Sequence, residues 1–378
     1  MEPMNLRENG RAWAREIGIV IGTLPTGPNN AITDVEGVKV GQTTLISGEG
    51  ELVVGEGPVR TGVTVIIPRE DIGKHPLYAG YHSLNGNGEM TGTHWIEEAG
   101  LLTTPIAITN THSVGTVHEA MIRRSVQGID NWRLHWSLPV VCETYDGVLN
   151  DINGFHVRAE HVDAAMDAAA SGPVEEGAVG GGTGMLCHEF KGGIGTASRL
   201  VETSSGTYTV GVLVQANYGL RSQLRIDGVP VGRELGFEEV PPPISREEED
   251  GSIIIIVATD APLLPHQCKR LAQRASLGLA RMGSMSGDGS GDIFLAFSTG
   301  NRDVERHDGA EPLPVLAFPN SEISRIFTGV VEATEEAIVN ALCMATTTTG
   351  ANNRVAHAIP LDRLTEVMSK FNRLQPVS

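Results

Sequence analysis

The chain has 378 residues, of which 40% are hydrophobic and 20% are charged, and this composition is typical of a globular protein rather than a disordered one. Its formal net charge is −18 and no basic stripe offsets that charge, so nucleic acid and anionic membranes are poor partners. No apolar run approaches the ~20 residues of a membrane span, and residues 1–7 lack the basic-then-apolar order of a secretory signal. We therefore expect a cytoplasmic protein.

Strands and helices mix irregularly along the chain. Apolar and β-branched runs bounded by turn residues predict strands at 62–68, 105–109, 138–145, 208–215, 252–259 and 292–297. Apolar periodicity and alanine-rich composition predict helices at 93–99, 159–170, 263–281 and 323–342, and one more after a cap at 110–113 that ends near residue 127. On the helix 323–342, we predict that Glu332, Glu335 and Glu336 form a solvated side. Because the regular βαβ alternation of a doubly wound fold is missing, the pattern predicts an α/β fold of layered sheets flanked by helices.

One stretch has the composition of a linker within what we predict to be a single domain, residues 1–378. Residues 228–251 are rich in proline and glutamate, and they end in a charged run followed by Gly251 and Ser252. Five β-branched residues come next, which is typical of a buried strand. A cut between Gly251 and Ser252 would leave a serine that carries both a nucleophile and a base, its own α-amine. Taken alone, the pattern fits a plain loop entering a strand more often than a cleavage site.

The motifs of several common enzyme classes are absent. The sequence has no P-loop, no paired histidines at the spacing of a zinc protease and no GxSxG nucleophile elbow. The two glycine-rich runs, 180–184 and 192–195, do not meet the dinucleotide-binding spacing, and we interpret them as tight turns. The cysteines form no CxxC pair, and we expect buried free thiols rather than disulfides at Cys142, Cys187, Cys268 and Cys343.

Polar residues at the ends of predicted strands are the remaining candidates for chemistry, because strand ends can converge on a cleft. They are Ser252, Ser290, Asp292, Asn217, Tyr145 and Glu143. Each of these residues, taken singly, fits a cap or a turn as well as an active site. Their spacing in the sequence does not show whether they meet.

Several motifs, in one order along nearly the whole chain, resemble the L-aminopeptidase/D-Ala-esterase-amidase family, which includes the β-peptidyl aminopeptidases. The most specific is Asp250-Gly251-Ser252-Ile253-Ile254, which continues into Ala258-Thr259-Asp260-Ala261-Pro262-Leu263. The others are Asn85-Gly86-Asn87-Gly88-Glu89, Glu143-Thr144-Tyr145-Asp146-Gly147, Gln215-Ala216-Asn217-Tyr218-Gly219 and Gly289-Ser290-Gly291-Asp292-Ile293.

The resemblance implies an αββα sandwich similar to that of N-terminal-nucleophile hydrolases but with different connectivity. It implies self-cleavage between Gly251 and Ser252 into an α chain of residues 1–251 and a β chain of residues 252–378. Homotetramers of αβ units are typical of the family, which needs no metal or organic cofactor. The implied substrates are short peptides, amino acid amides and esters of L-amino acids, D-alanine or β-amino acids.

The resemblance also assigns roles to the candidate residues. Ser252 would be the nucleophile, and the side chains of Asn217 and Tyr145 would stabilise the oxyanion. Ser290 and Asp292 would orient the new N-terminus, and the carboxylate of Glu143 would hold the free ammonium group of the substrate. Two alternatives stay open: an acyltransferase similar to ornithine acetyltransferases, and a non-catalytic binding protein with the same fold. The serine argues against the first, because those transferases use threonine.

Overall fold

The computed structural model describes residues 6–127, 135–244, 250–305 and 311–376. Within these residues the strands are β1 (Lys39–Ser47), β2 (Val59–Ile67), β3 (Leu77–Gly86), β4 (Leu101–Leu102), β5 (Ile106–Asn110), β6 (Val140–Thr144), β7 (Leu186–Cys187), β8 (Phe190–Lys191), β9 (Gly193–Thr203), β10 (Gly206–Asn217), β11 (Asp250–Thr259), β12 (Gly289–Ser298), β13 (Thr348–Thr349) and β14 (Val355–Ala356). The α-helices are α1 (Thr93–Ala99), α2 (Val114–Ser125), α3 (Ala159–Asp167), α4 (Val231–Glu234), α5 (Pro265–Arg281), α6 (Ile323–Met344) and α7 (Leu361–Lys370).

Two sheets form the centre of the fold. The smaller has the strand order β1-β2-β5-β6, and the larger has the order β4-β3-β12-β11-β10-β9. A shared core of aliphatic side chains lies between them, with Ile66 and Ile108 from the smaller sheet and Leu213, Ile254 and Leu295 from the larger. The sheets therefore pack face to face, as two apolar sheet faces must to exclude water.

Helices cover the two outer faces. Helices α2 and α3 pack on the smaller sheet around Val63, Ala107 and Val141. Helices α5 and α6 pack on the larger sheet. The layers are thus α, β, β and α, which confirms the predicted αββα sandwich. None of the helices in the described part of the chain has the length and apolar character that a membrane crossing needs.

Strand β11 lies in the middle of the larger sheet, parallel to β12 and antiparallel to β10. Its residues 253–257 are all fully buried, with Ile254 and Ile256 in the core between the sheets and Ile253, Ile255 and Val257 facing the helices. Because both faces of the strand are covered, the sequence shows a continuous β-branched run instead of alternation. This confirms the predicted strand.

The predicted solvated side of α6 is wrong. Glu332, Glu335 and Glu336 are 4%, 3% and 0% exposed. The fully buried Arg199 on β9 donates to Glu332 at 3.2 Å and to Glu336 at 2.6 Å, and Arg15 donates to Glu336 at 2.7 Å. Buried carboxylates at these positions are tolerated because they are paired with cations and hydrogen-bonded.

The section predicted as a linker is packed where the structure describes it. Between residues 228 and 244, Val229, Val231, Leu235 and Val240 are buried in the helix-facing core. The buried Arg221 guanidinium donates to the carbonyls of Leu235 and Val240 at 3.2 and 3.0 Å. These residues are therefore part of the fold, whereas residues 245–249 of the charged run lie outside the described residues.

The cysteine prediction is confirmed. All four thiols are free and buried. Burial raises the pKa of each thiol, because the thiolate loses its hydration in an apolar core. They act as small apolar side chains in the packing.

Candidate active site

Ser252 lies near the start of β11, between two strands that both carry polar residues. It is aligned with Asn217 on β10 and with Gly291 on β12. Its side chain is 5% exposed, and its hydroxyl oxygen accepts a hydrogen bond from the Gly291 main-chain nitrogen at 3.1 Å. The hydroxyl is thus fixed by the adjacent strand at the edge of the core.

Gly251, immediately before Ser252, occupies a position that only glycine fits. Its φ of +126° lies in the region that L-residues with a side chain avoid. A Cβ atom there would come within 2.1 Å of the Asn217 carbonyl oxygen and 3.0 Å of the Tyr218 Cα. The bond between Gly251 and Ser252 therefore follows a residue whose backbone lies close to β10 and has a conformation that favours glycine.

Asn217 is the last residue of β10, and its side-chain amide is held at both ends. Its Oδ1 accepts from the Leu186 main-chain nitrogen at 2.8 Å, and its Nδ2 donates to the Tyr145 carbonyl at 2.9 Å. Because a main-chain N–H can only donate, the bond from Leu186 fixes which end of the amide is oxygen. The bond to Tyr145 uses one of the two hydrogens on Nδ2.

Tyr145 directly follows β6 and is joined to Asn217 through its main-chain carbonyl. Its side chain is 46% exposed. The hydroxyl lies against Gly147, where an added Cβ would approach the Tyr145 Oη to 2.3 Å. The structure therefore brings Tyr145 to the site, and the role of its hydroxyl in oxyanion binding stays a prediction.

Ser290 and Asp292 form a buried pair on β12. The Ser290 hydroxyl donates to Asp292 Oδ1 at 2.7 Å, and the two residues are 1% and 0% exposed. They flank Gly291, and Asp292 is aligned with Ile253, whose side chain faces the helices. Since neighbouring side chains in a strand point to opposite faces, the pair lies on the face opposite to the Ser252 hydroxyl, beneath the Ser252 main chain.

Glu143 is a buried carboxylate at the end of β6, and it is 3% exposed. Its Oε1 accepts from the Glu89 main-chain nitrogen at 3.0 Å, and its Oε2 accepts from the Thr111 hydroxyl. Burial raises the pKa of Glu143, although both hydrogen bonds favour the charged form. A carboxylate has about four lone-pair sites, so it can still accept from a substrate ammonium group.

The loop that follows β3 links Glu143 to the strand beside Ser252. A Cβ added to Gly88 would lie 3.2 Å from Glu143 Oε1 and 3.1 Å from the Gly291 Cα. The Asn87 main-chain nitrogen also donates to the Ser290 carbonyl at 3.3 Å. The glycine in this motif therefore lets the loop approach both groups closely.

Two main-chain donors of the site were missed by the sequence prediction. The Gly291 nitrogen holds the Ser252 hydroxyl, and the Leu186 nitrogen holds the Asn217 amide oxygen. A main-chain N–H has no signature in residue type. The only signal was the glycine at 291, where a Cβ would come within 2.4 Å of the Asn87 carbonyl oxygen.

The two layers of sheet between helices have the arrangement of the N-terminal-nucleophile hydrolase fold. The solved L-aminopeptidase D-Ala-esterase/amidase from Ochrobactrum anthropi, described as a variant of that fold and a prototype of the serine aminopeptidases, is 46% identical with a TM-score of 0.88. The alignment covers 96% of this chain and 99% of that one.

Residues 30–356 match the sequence profile of Peptidase family S58. The chain therefore belongs to this family, and it is a serine-type aminopeptidase. The beta-peptidyl aminopeptidase BapA of Sphingosinicella microcystinivorans is 51% identical in a 371-residue alignment that covers 96% of this chain and 93% of that protein. A solved beta-aminopeptidase from Burkholderia sp. is also 51% identical, with a TM-score of 0.88 over 95% of this chain and 99% of that one.

Proposed function

We propose that the protein cleaves itself between Gly251 and Ser252 and then removes N-terminal residues from short peptides, amino acid amides and esters. The cut would give an α chain of residues 1–251 and a β chain of residues 252–378. One observation carries the proposal: the Ser252 hydroxyl is held near a strand start, directly after a glycine whose backbone other residues adopt only with strain. The aligned Asn217 supplies an amide donor on the neighbouring strand.

The cleavage step is an acyl shift followed by hydrolysis. Ser252 Oγ attacks the Gly251 carbonyl carbon, an ester bond forms, and the peptide C–N bond breaks as the Ser252 nitrogen takes up a proton. Water then hydrolyses the ester to the Gly251 carboxylate and restores the hydroxyl. Glycine adopts the backbone at residue 251 without the cost that a side chain would add, so the bond can be held in position for the attack.

After cleavage, Ser252 carries its own general base. A free α-amine has an intrinsic pKa of ~7.7–8.0, which is near the ideal value for proton transfer at neutral pH. The pair Ser290–Asp292 lies beneath the Ser252 main chain and would hydrogen-bond the amine and orient it. No histidine partner is needed.

The remaining residues bind the substrate at its two ends. The Asn217 amide and the Tyr145 hydroxyl would stabilise the oxyanion on the scissile carbonyl. Glu143 would bind the substrate's free ammonium group, and its burial excludes water from that ion pair. An enzyme that requires this ammonium removes residues from the N-terminus only.

The scope of substrates is proposed to include β-amino acids as well as L-amino acids and D-alanine. Two relatives at 51% identity are named for β-peptide or β-amino acid cleavage, and one at 46% is named for L-amino acids and D-alanine esters and amides. A panel of L-, D- and β-aminoacyl p-nitroanilides, assayed on the cleaved protein, would measure the preference directly.

We further propose that the cleaved protein is a cytoplasmic homotetramer of αβ units, as its resemblance to the family suggests. Sedimentation velocity of the cleaved protein would give a mass four times that of one αβ unit. A single αβ unit at micromolar concentration would contradict the tetramer but leave the chemistry intact.

The decisive experiment combines mass spectrometry with a nucleophile variant. Purified protein should contain one chain that ends at Gly251 and one that begins at Ser252, and it should hydrolyse an aminoacyl p-nitroanilide. The variant Ser252→Ala should stay uncut and inactive, while Ser276→Ala, on α5 with its hydroxyl oxygen buried, serves as the matched control and should cleave normally. Activity from an uncut chain would overturn the mechanism.

A further inference from the structure

A fully buried lysine lies behind the site. Lys191, the last residue of β8, is 0% exposed, and its ammonium group donates to three main-chain carbonyls. These are Met185 at 2.8 Å, Gly192 at 2.8 Å and Gly182 at 3.1 Å. An ammonium group has three hydrogens, so all of them are used. Burial lowers the pKa of Lys191 to about 7, because the ammonium group loses its hydration in the core.

The three carbonyls belong to one turn, residues 182–192, which carries the hairpin of β7 and β8. In that hairpin Leu186 is aligned with Lys191. The main chain of Lys191 is also tied down, because its nitrogen donates to the His357 carbonyl at 2.7 Å. The ammonium group therefore connects the two ends of the turn, Gly182 and Gly192, with Met185 between them.

The same turn supplies the donor that orients Asn217. Met185, whose carbonyl accepts from the ammonium, directly precedes Leu186, whose nitrogen donates to Asn217 Oδ1 at 2.8 Å. The chain of contacts thus runs from the lysine through one peptide unit to the side-chain amide. If that peptide unit rotated, Asn217 would lose the bond that distinguishes its oxygen from its nitrogen, and its oxygen could turn toward the reacting carbonyl.

We propose that Lys191 is a positioning residue for the oxyanion site, holding the Met185–Leu186 peptide so that the Asn217 NH2 group faces the carbonyl under attack. This inference rests on the proposed function, since it assigns Asn217 as an oxyanion donor. The Lys191 ammonium group donates hydrogen bonds only to main-chain carbonyls of the turn among the described residues, and Lys191 is not a catalytic residue.

Arg11 provides a matched control. It is also a buried cation, 8% exposed, whose guanidinium donates to three main-chain carbonyls: Cys343 at 2.7 Å, Ile359 at 3.0 Å and Leu342 at 3.3 Å. Those carbonyls lie at the end of α6 and before α7, and they carry no contact to Asn217. Losing either cation removes the same kind of bonds, but only Lys191 is connected to the amide.

The test is a double-mutant cycle on turnover. Lys191→Met, Arg11→Met, Asn217→Ala and the two double variants are incubated until the cut fraction is known by mass spectrometry. The kcat and KM for an aminoacyl p-nitroanilide are then expressed per cut molecule. We expect Lys191→Met to lower kcat ~10- to 100-fold with KM within about twofold. Asn217→Ala should lower kcat ~10²- to 10³-fold in the wild-type and Arg11→Met backgrounds but less than about tenfold in the Lys191→Met background.

Two further results keep the inference open to refutation. If Lys191→Met is insoluble, Lys191→Gln, which keeps amide donors without the charge, replaces it. Asn217→Ala should then also lower kcat by a smaller factor than in the wild type, although the difference should be less than with Lys191→Met. If the wild type turns over and Asn217→Ala lowers kcat by the same factor in the wild-type, Arg11→Met and Lys191→Met backgrounds, this inference is wrong. The proposed function would then still stand. Absence of turnover in cut wild-type protein overturns the proposed function and this inference with it.

Discussion

The replacement Gly251→Ala is the sharpest test of whether the backbone promotes the proposed cleavage, because it removes none of the reacting atoms. The alanine keeps the same carbonyl, and Ser252 keeps its hydroxyl. What changes is the backbone at φ +126° and a methyl group 2.1 Å from the Asn217 carbonyl oxygen. The positive φ alone costs about 1–3 kcal/mol for a residue with a side chain.

The clash adds a displacement to this strain. A carbon and an oxygen in contact are ordinarily more than ~3 Å apart, so β11 must move away from β10 by about 1 Å where Ser252 is aligned with Asn217. A misplacement of about 1 Å at a reacting centre can lower a rate ~10²-fold. We therefore expect Gly251→Ala to be cut at least ~10²-fold more slowly than the wild type.

The assay is a time course of freshly purified precursor, followed as the appearance of the chain that begins at Ser252. The matched control is Gly228→Ala, which has a φ of +78° and no heavy atom within 4 Å of the added Cβ. It shares the backbone cost without the clash and should be cut at the wild-type rate. Wild-type cleavage of Gly251→Ala would refute the argument that β10 fixes the geometry of the bond.

Further measurements test the other residues. Asn217→Ala should lower kcat of cut protein ~10²- to 10³-fold with little change in KM, and an unchanged kcat would remove it from the oxyanion site. Glu143→Gln should raise KM at least ~10-fold for substrates with a free amine. Because burial raises the pKa of Glu143, wild-type KM should increase as the pH falls through that pKa, whereas the KM of the variant should lack this component. Burial raises the pKa of Asp146 to about 7. Its contribution to the free energy of unfolding is therefore fully present below pH ~4 and is lost as the pH rises from there through 7, by up to ~1.4 kcal/mol per pH unit. In urea unfolding of uncut Ser252→Ala, the free energy of unfolding should therefore fall more between pH 5 and pH 8 than in the same protein carrying Asp146→Asn. An equal fall in both proteins would assign the titration to another group.

Burial on both faces made the central strand easy to predict. The run Ile253–Val257 can be nothing but a covered strand in a chain of this composition, and the structure has β11 at 250–259. The helix 93–99 matches α1, and Asn110 caps the following helical turn by accepting from the Ser113 nitrogen at 3.0 Å. Local signals of this kind depend on residues close in sequence.

The errors concern partners that are distant in sequence. Glu332 and Glu336 look like the exposed side of a helix until Arg199, more than 130 residues earlier, is known to lie between them. The polar residues of the site could be named from the sequence, but their proximity could not. Asn217 and Ser252 are neighbours because β10 pairs with β11.

The strand order has a consequence for the protein after it is cut. Strand β12, and β11 from Ser252 onward, would belong to the 252–378 chain, and they lie between β3 and β10, which would belong to the 1–251 chain. One continuous sheet would then be built from two polypeptides, with the shorter one inserted in its middle. Separating the chains requires opening the sheet along two central seams, so dissociation and global unfolding become one event. Refolding becomes a bimolecular encounter, and the persistence of the active enzyme is then governed by how slowly the sheet opens rather than by an equilibrium of a single chain.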